Sequence, residues 1–227
     1  MAVDAVIFDW GGTLTPWHTI DVGELWAAVC APHYPVAAAA TIAASLHAAE
    51  SQLWRTAAQA HRSASMDALF ELAGVGATAE LLASYVAAWE PHTFTDPDVP
   101  DLLRHLRDRG VRVGVLSNTM WPRSWHEDVF RRDGVLDLID GAVYTSEIDW
   151  TKPHREAFRA AMAAVEITDP ARCVFVGDRP FDDVHGAQQA GMRAVLVPNS
   201  DVPPYAAAVP DAVISRLADL PAVLASW

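Results

Sequence analysis

The chain has 227 residues, 52% of them hydrophobic and 20% charged, with a formal net charge of −13. This balance suits a folded globular protein. The acidic excess argues against nucleic acid or an anionic membrane as a partner. Cys30 and Cys173 are the only cysteines and form no CxxC pair, so neither a disulfide framework nor a zinc site is expected.

The first predicted element is a strand, Val6-Ile7-Phe8, that ends in Asp9 and runs into Gly11-Gly12. Parallel α/β sheets carry their chemistry at such C-terminal strand tips. The interval 16–91 holds no convincing strand and is rich in Ala, Leu, Trp and Glu. It reads as several amphipathic helices, and it is far longer than a crossover helix of about a dozen residues. Its alanine-rich stretch at 36–49 is broken by Thr41, Ser45 and His47, too short and polar to span a bilayer. The N-terminus shows no basic segment followed by a long apolar run, so a cytoplasmic location is expected.

Beyond the insert, strands and helices alternate. A helix over 101–109 stops at Gly110 and a strand follows at 112–116. Then come a weaker strand at 142–144, a helix at 153–165 and a strand at 173–177. A helix at 182–190 stops at Gly191, before a strand at 193–197 and an edge strand at 211–214. This order predicts an α/β fold, a Rossmann-like parallel sheet covered on both faces. Residues 1–15 and 92–227 would form the core, with an inserted α-helical cap at 16–91 over the crevice.

The strand at 173–177 is followed at once by Asp178, the same pattern as Asp9. Neighbouring parallel strands would set the two carboxylates side by side, where they repel unless a proton or cation intervenes. A hard divalent cation with oxygen ligands, Mg²⁺ above all, suits such a site. Asp183 is a further ligand or else a helix cap. Ser117, Asn118 and Thr119 end the strand at 112–116 with small polar groups fit for phosphate oxygens. Lys152 is the only lysine beside fifteen arginines, a compact charge able to offset carboxylates and phosphate.

These motifs, Asp9-Trp10-Gly11-Gly12-Thr13-Leu14, Ser117-Asn118-Thr119, Lys152-Pro153 and Gly177-Asp178 with Asp183, occur in an order that resembles the haloacid dehalogenase-like hydrolases. The resemblance runs over nearly the whole chain, and the helical insert falls where a first-type cap lies. It implies a phosphatase acting on small phosphorylated molecules as a monomer or homodimer. Asp9 would attack phosphorus to give an aspartyl-phosphate that water hydrolyses. Mg²⁺ would bind Asp9, the Gly11 carbonyl and Asp178, with Asp183 as ligand or neighbour. Ser117, Asn118, Lys152 and the Gly12 backbone would hold the phosphoryl group.

One departure stands out. Most phosphatases of this family have a second Asp two residues after the nucleophile as general acid and base, and here that position is Gly11. Such help is worth about 10²–10⁴-fold, so a good leaving group is expected to matter. Thr15, His18, a residue of the cap or solvent are possible substitutes. The phosphonate-cleaving branch is set aside because the insert has no lysine for a Schiff base. The 2-haloacid dehalogenase branch also lacks the second Asp, but it has a non-acidic residue where Asp178 stands. A catalytically weak member that only binds a phospho-ligand is the remaining alternative. Trp10, Trp17, Trp121 and Trp150 lie near motifs, as pocket walls or as ordinary packing. Arg55 and Arg62 read as a solvated face, the insert histidines as surface or core residues, and Asp182 as a helix cap.

Overall fold

A computed structural model describes residues 3–227. Six strands form one parallel sheet: β1 Ala5–Phe8, β2 Arg112–Ser117, β3 Gly141–Tyr144, β4 Cys173–Gly177, β5 Arg193–Leu196 and β6 Ala212–Val213. Their spatial order is β3-β2-β1-β4-β5-β6, so the chain direction across the sheet reverses between β1 and β4. Phe8 pairs with Val115 on one side and Val176 on the other. Asp9 extends β1 by one ladder bond, donating its N–H to the Val176 carbonyl at 2.9 Å.

The side-chain period of two sends alternate residues to opposite faces. Val6, Phe8, Val113, Val115, Val174 and Val176 share one hydrophobic cluster, while Ala5, Ile7, Leu116, Cys173 and Phe175 share another. Burial on both faces explains why these strands read as continuous apolar runs.

Helix α5, Val99–Asp108, buries Val99, Leu102, Leu103 and Leu106 against the first face, the spacing of one helical stripe. Helix α7, Arg155–Ala164, covers the second face through Ala157, Phe158, Ala161 and Met162. Two helices are absent from the sequence expectation. Helix α6, Arg123–Arg132, is mostly charged and buries only His126 and Phe130. Helix α9, Leu220–Ala225, is very short.

The helix expected over 182–190 is two pieces, a π-helical turn at Pro180–His185 and helix α8 at Gly186–Gln189. The wider turn closes around Asp183. Its N–H donates to the Arg179 carbonyl at 3.0 Å, and its Oδ2 accepts the Arg179 N–H at 2.9 Å.

Between β1 and α5 lie α1 Val22–Cys30, α2 Val36–Ala60, α3 Met66–Ala73 and α4 Ala79–Trp89. The side chains of Asp21, Ser65 and Thr78 cap α1, α3 and α4 by accepting N–H bonds in their first turns. Trp26, Leu46, Leu69, Phe70, Leu81 and Tyr85 form a separate hydrophobic centre that includes Met120 and Trp121 from after β2. A backbone bridge also ties this unit to the sheet side: Ser63 N–H donates to Asp149 O at 3.2 Å and Thr151 N–H to His61 O at 3.0 Å. Among the described residues no helix is long and apolar enough to cross a membrane. Cys30 and Cys173 are buried in different clusters as free thiols.

Candidate active site

The site begins at the reversal of strand order, where β1 and β4 end side by side. Such a point opens a crevice beyond the carboxyl ends of the strands. Asp9 and Asp178 follow the two strands directly, and Asp183 reaches the same place from the π turn. All three are buried, and one oxygen of each lies within 4.8 Å of the others.

Gly12 makes this approach possible. Its φ is +89°, and a Cβ there would lie 2.5 Å from Asp178 Oδ2; any side chain would meet both strain and collision. At Gly177 a Cβ would come within 2.3 Å of Asp183 Oδ2. Gly11 differs, with open space around the position of a Cβ.

Lys152 enters from the loop before α7. Its Nζ donates to Asp9 Oδ1 at 2.6 Å and to Asp183 Oδ1 at 2.7 Å, and the side chain is only 2% exposed. Burial alone would lower its pKa, but Asp183 and Asp9 outweigh it and hold the ammonium above its ordinary value. The side chains expected to gather here do so: Asp9, Asp178, Asp183 and Lys152 converge, with Ser117 buried at the tip of β2. Asp9, Gly11, Ser117, Asn118 and Lys152 all line one cavity.

Asn118 lines the cavity and is also tied to the chain at Lys152. Its Nδ2 donates to Lys152 O at 3.0 Å and its Oδ1 accepts the Lys152 N–H at 2.8 Å. Both ends of the amide thus help to fix the lysine backbone, with one N–H and one lone pair left over. The Gly12 carbonyl accepts a bond from Asn199 Nδ2 at 3.0 Å.

Burial pushes the Asp178 carboxyl up to about 8, and Asp9 and Asp183 push the same way. Burial also raises Asp183, to about 6, against the pull of Lys152. Asp178 Oδ2 is a buried oxygen with no hydrogen-bond partner. Three carboxylates facing one ammonium leave an excess of negative charge, and an unpartnered buried oxygen is costly. This donor set fits a hard divalent cation bound by oxygen ligands. Asp178 does not cap the following turn, whose preceding residue is Arg179 and which has no side-chain cap bond.

The same cavity, about 580 Å³, extends beneath the helical insert. Trp10, Trp17 and Trp121 line it, as one of the two expectations for them holds. Trp150 does not; it stacks on His154 at 3.8 Å and lies under the Arg62 guanidinium at 3.7 Å. Arg55 and Arg62 stay outside the cavity, whereas His47 and Asp182 line it. His18 packs on His92, and the Thr15 hydroxyl donates to the Trp10 carbonyl at 3.4 Å.

Sequence reasoning missed Arg179, Glu50, Trp54 and Trp89, all of which line the cavity. Arg179 had a signal, as the cation next to the Gly177-Asp178 tip. The three insert residues had none, because a helix reveals its inward face only once packed.

A parallel α/β sheet with buried acids and one lysine at its switch point is a Rossmann-like architecture with a crevice site. The model of the haloacid dehalogenase-like hydrolases matches residues 3–191, and the chain belongs to that family. It is 33% identical over 106 residues to a glyceraldehyde 3-phosphate phosphatase of Methanothermobacter thermautotrophicus, covering 47% of this chain and 45% of the relative. It is 30% identical over 124 residues to a phosphoserine phosphatase of Thermus thermophilus, covering 55% and 49%. The chain spans about half the length of the curated relatives it matches. Among solved structures, a 2-haloacid dehalogenase from Pseudomonas syringae pv. Tomato superposes with a TM-score of 0.70 and 26% identity over 99% of both chains. A HAD phosphatase from Thermococcus onnurineus gives 0.69 and 23% over 98% of both, a likeness of fold.

Proposed function

We propose that this chain is a Mg²⁺-dependent phosphohydrolase of small phosphorylated molecules, with the helices between residues 16 and 91 serving as its cap. The observation that carries the reading is the meeting of three buried aspartates around one buried lysine on a cavity floor. Names of curated relatives point the same way, since they are phosphatases with different substrates.

In this reading Asp9 is the nucleophile. A carboxylate oxygen forms a bond to phosphorus while the bond to the leaving oxygen breaks, and water then releases phosphate from the aspartyl-phosphate. Lys152 holds the Asp9 carboxylate in place and supplies positive charge beside it, and Asn118 fixes the backbone of that lysine. Ser117 offers a hydroxyl at the β2 tip to a phosphoryl oxygen. Asp9, Asp178, Asp183 and the Gly11 carbonyl are the groups that would hold Mg²⁺, which supplies Lewis-acid stabilisation of phosphoryl charge when bound.

A dehalogenase reading has the support of structural neighbours. It gives no role to the unpartnered oxygen of Asp178 or to the crowding of three acids, so the phosphatase reading is preferred.

The decisive assay is hydrolysis of 4-nitrophenyl phosphate with Mg²⁺, with chelator, and in Asp9→Asn. Activity should need both the metal and Asp9, with a loss of at least about 10³-fold in the variant. Halide release from 2-haloacids, with no phosphatase activity, would overturn the proposal.

A further inference from the structure

Resting on the phosphohydrolase reading, we infer that the substrate class is the aryl phosphates, with the aromatic ring held between the floor of the site and the helical insert. Two independent features lead there. The first is the cavity wall: Trp10, Trp17, Trp54, Trp89, Trp121 and Tyr85 surround one space continuous with Asp9. Its volume of about 580 Å³ is that of a site for a compact organic molecule. Indole walls of this kind bind flat apolar bodies by burial and by offset or edge-on ring contact.

Tyr85 and Trp121 belong to the buried core of the insert, and the open part of the wall is carried by two other rings. Trp54 is 39% exposed and Trp17 is 36% exposed, so apolar surface stays open to solvent in the cavity. Trp121 is held rigidly, its indole N–H donating to Tyr85 Oη at 3.3 Å and its ring lying 5.5 Å from Trp10. Glu50, itself on the cavity lining, accepts the Trp26 indole N–H at 2.7 Å.

The second feature is Gly11, which lines the cavity beside Asp9. It has no proton-donating side chain, and a Cβ there would meet nothing within 4 Å. The departing oxygen therefore receives no proton from this position, and the space beside it is free for a ring. A phenol, with a pKa of about 10, satisfies both conditions. The step balances without a further reagent: the P–O(aryl) bond breaks as Asp9 bonds to phosphorus, and the phenolate takes its proton from water. A second water then yields inorganic phosphate and restores Asp9.

The test separates ring binding from leaving-group quality. The 227-residue protein with Mg²⁺ is assayed on 1-naphthyl phosphate and on acetyl phosphate, a small substrate with a good leaving group. Binding of 1-naphthol is measured by calorimetry alongside. The expected kcat/KM is at least about 30-fold higher for 1-naphthyl phosphate, expressed mainly in KM, with saturable naphthol binding. Trp54→Ala should cut the ratio of the two efficiencies about 10-fold, and Trp54→Phe should restore most of it. Trp89→Ala is the second wall variant.

Equal efficiencies, or a ratio indifferent to both wall variants, overturn the aryl assignment while leaving the phosphohydrolase standing. If neither phosphate is hydrolysed, the functional reading fails. Naphthol binding weakened by the Trp54 change then still supports an aromatic ligand, and its absence overturns the inference.

Discussion

The floor and the roof of the cavity are built on opposite terms. The floor packs three carboxylates and an ammonium at adjacent strand tips, all nearly dry. The roof, drawn from α1, α2 and α4, carries the rings of Trp54, Tyr85 and Trp89 among smaller side chains, with Glu50 as a buried acid. A parallel sheet fixes strand ends through its ladder, so charge placed there keeps its geometry. Helical surfaces present broad side chains that can change without disturbing the ladder. In the proposed reading, reactivity belongs to the first and selectivity to the second.

The sharpest way to probe the floor is to add the missing acid. Gly11→Asp has room for its side chain and should raise turnover of alkyl phosphates by about 10²–10⁴-fold, as general acid help does. Steady-state kinetics on glycerol 3-phosphate would show it, and a fall in rate would count against a leaving-group limit. Lys152→Met should lower kcat/KM on aryl phosphates about 10²–10³-fold. Removing one partner of a buried ion pair also costs about 3–5 kcal/mol, so metal-free protein should melt markedly earlier, with Mg²⁺ restoring part of the loss.

His126 lies beneath the wall, stacked on Tyr144 at 4.4 Å and edge-on to Trp10 at 4.5 Å. Burial and then Arg123 hold its pKa down to about 3. The unfolded chain takes up this proton near pH 6.5 while the folded chain does not, so stability falls as pH drops below 6.5. The slope is about 1.4 kcal/mol per pH unit, or about 2 kcal/mol by pH 5. His126→Phe should flatten that part of the profile, measured as the difference between variant and native denaturation curves at pH 7 and pH 5.

The smallest effect is expected in the roof. Burial raises the Glu50 pKa, against the pull of the Trp26 indole. A raised carboxyl weighs against folding above its folded pKa and gives stability back as pH falls through it. Glu50→Gln keeps an acceptor for Trp26 and should be neutral or stabilising by about 1 kcal/mol near pH 7, with the gain fading towards pH 4. A large loss of stability at pH 7 would mean that the charge itself supports the roof.

These two regions were also unequally legible in the sequence. The floor announces itself, because strands buried on both faces become apolar runs and each ends in an acid at a fixed place. Asp9 and Asp178 are visible on that ground alone. The roof is hidden. Trp150 is two residues from Lys152 yet faces Arg62 and His154, while Trp54 and Trp89 are remote from every motif and line the cavity. Helix α6 escaped notice for a related reason. Its charges dominate the pattern, and only His126 and Phe130, one turn apart, mark its inner face.

The single lysine has a practical consequence. With Lys152 enclosed by Asp9 and Asp183, the folded protein offers amine-reactive reagents no exposed lysine side chain. Acylation or reductive methylation of that side chain would therefore serve as a clock for opening of the site. Surface attachment through lysine would fail for as long as the fold stays closed.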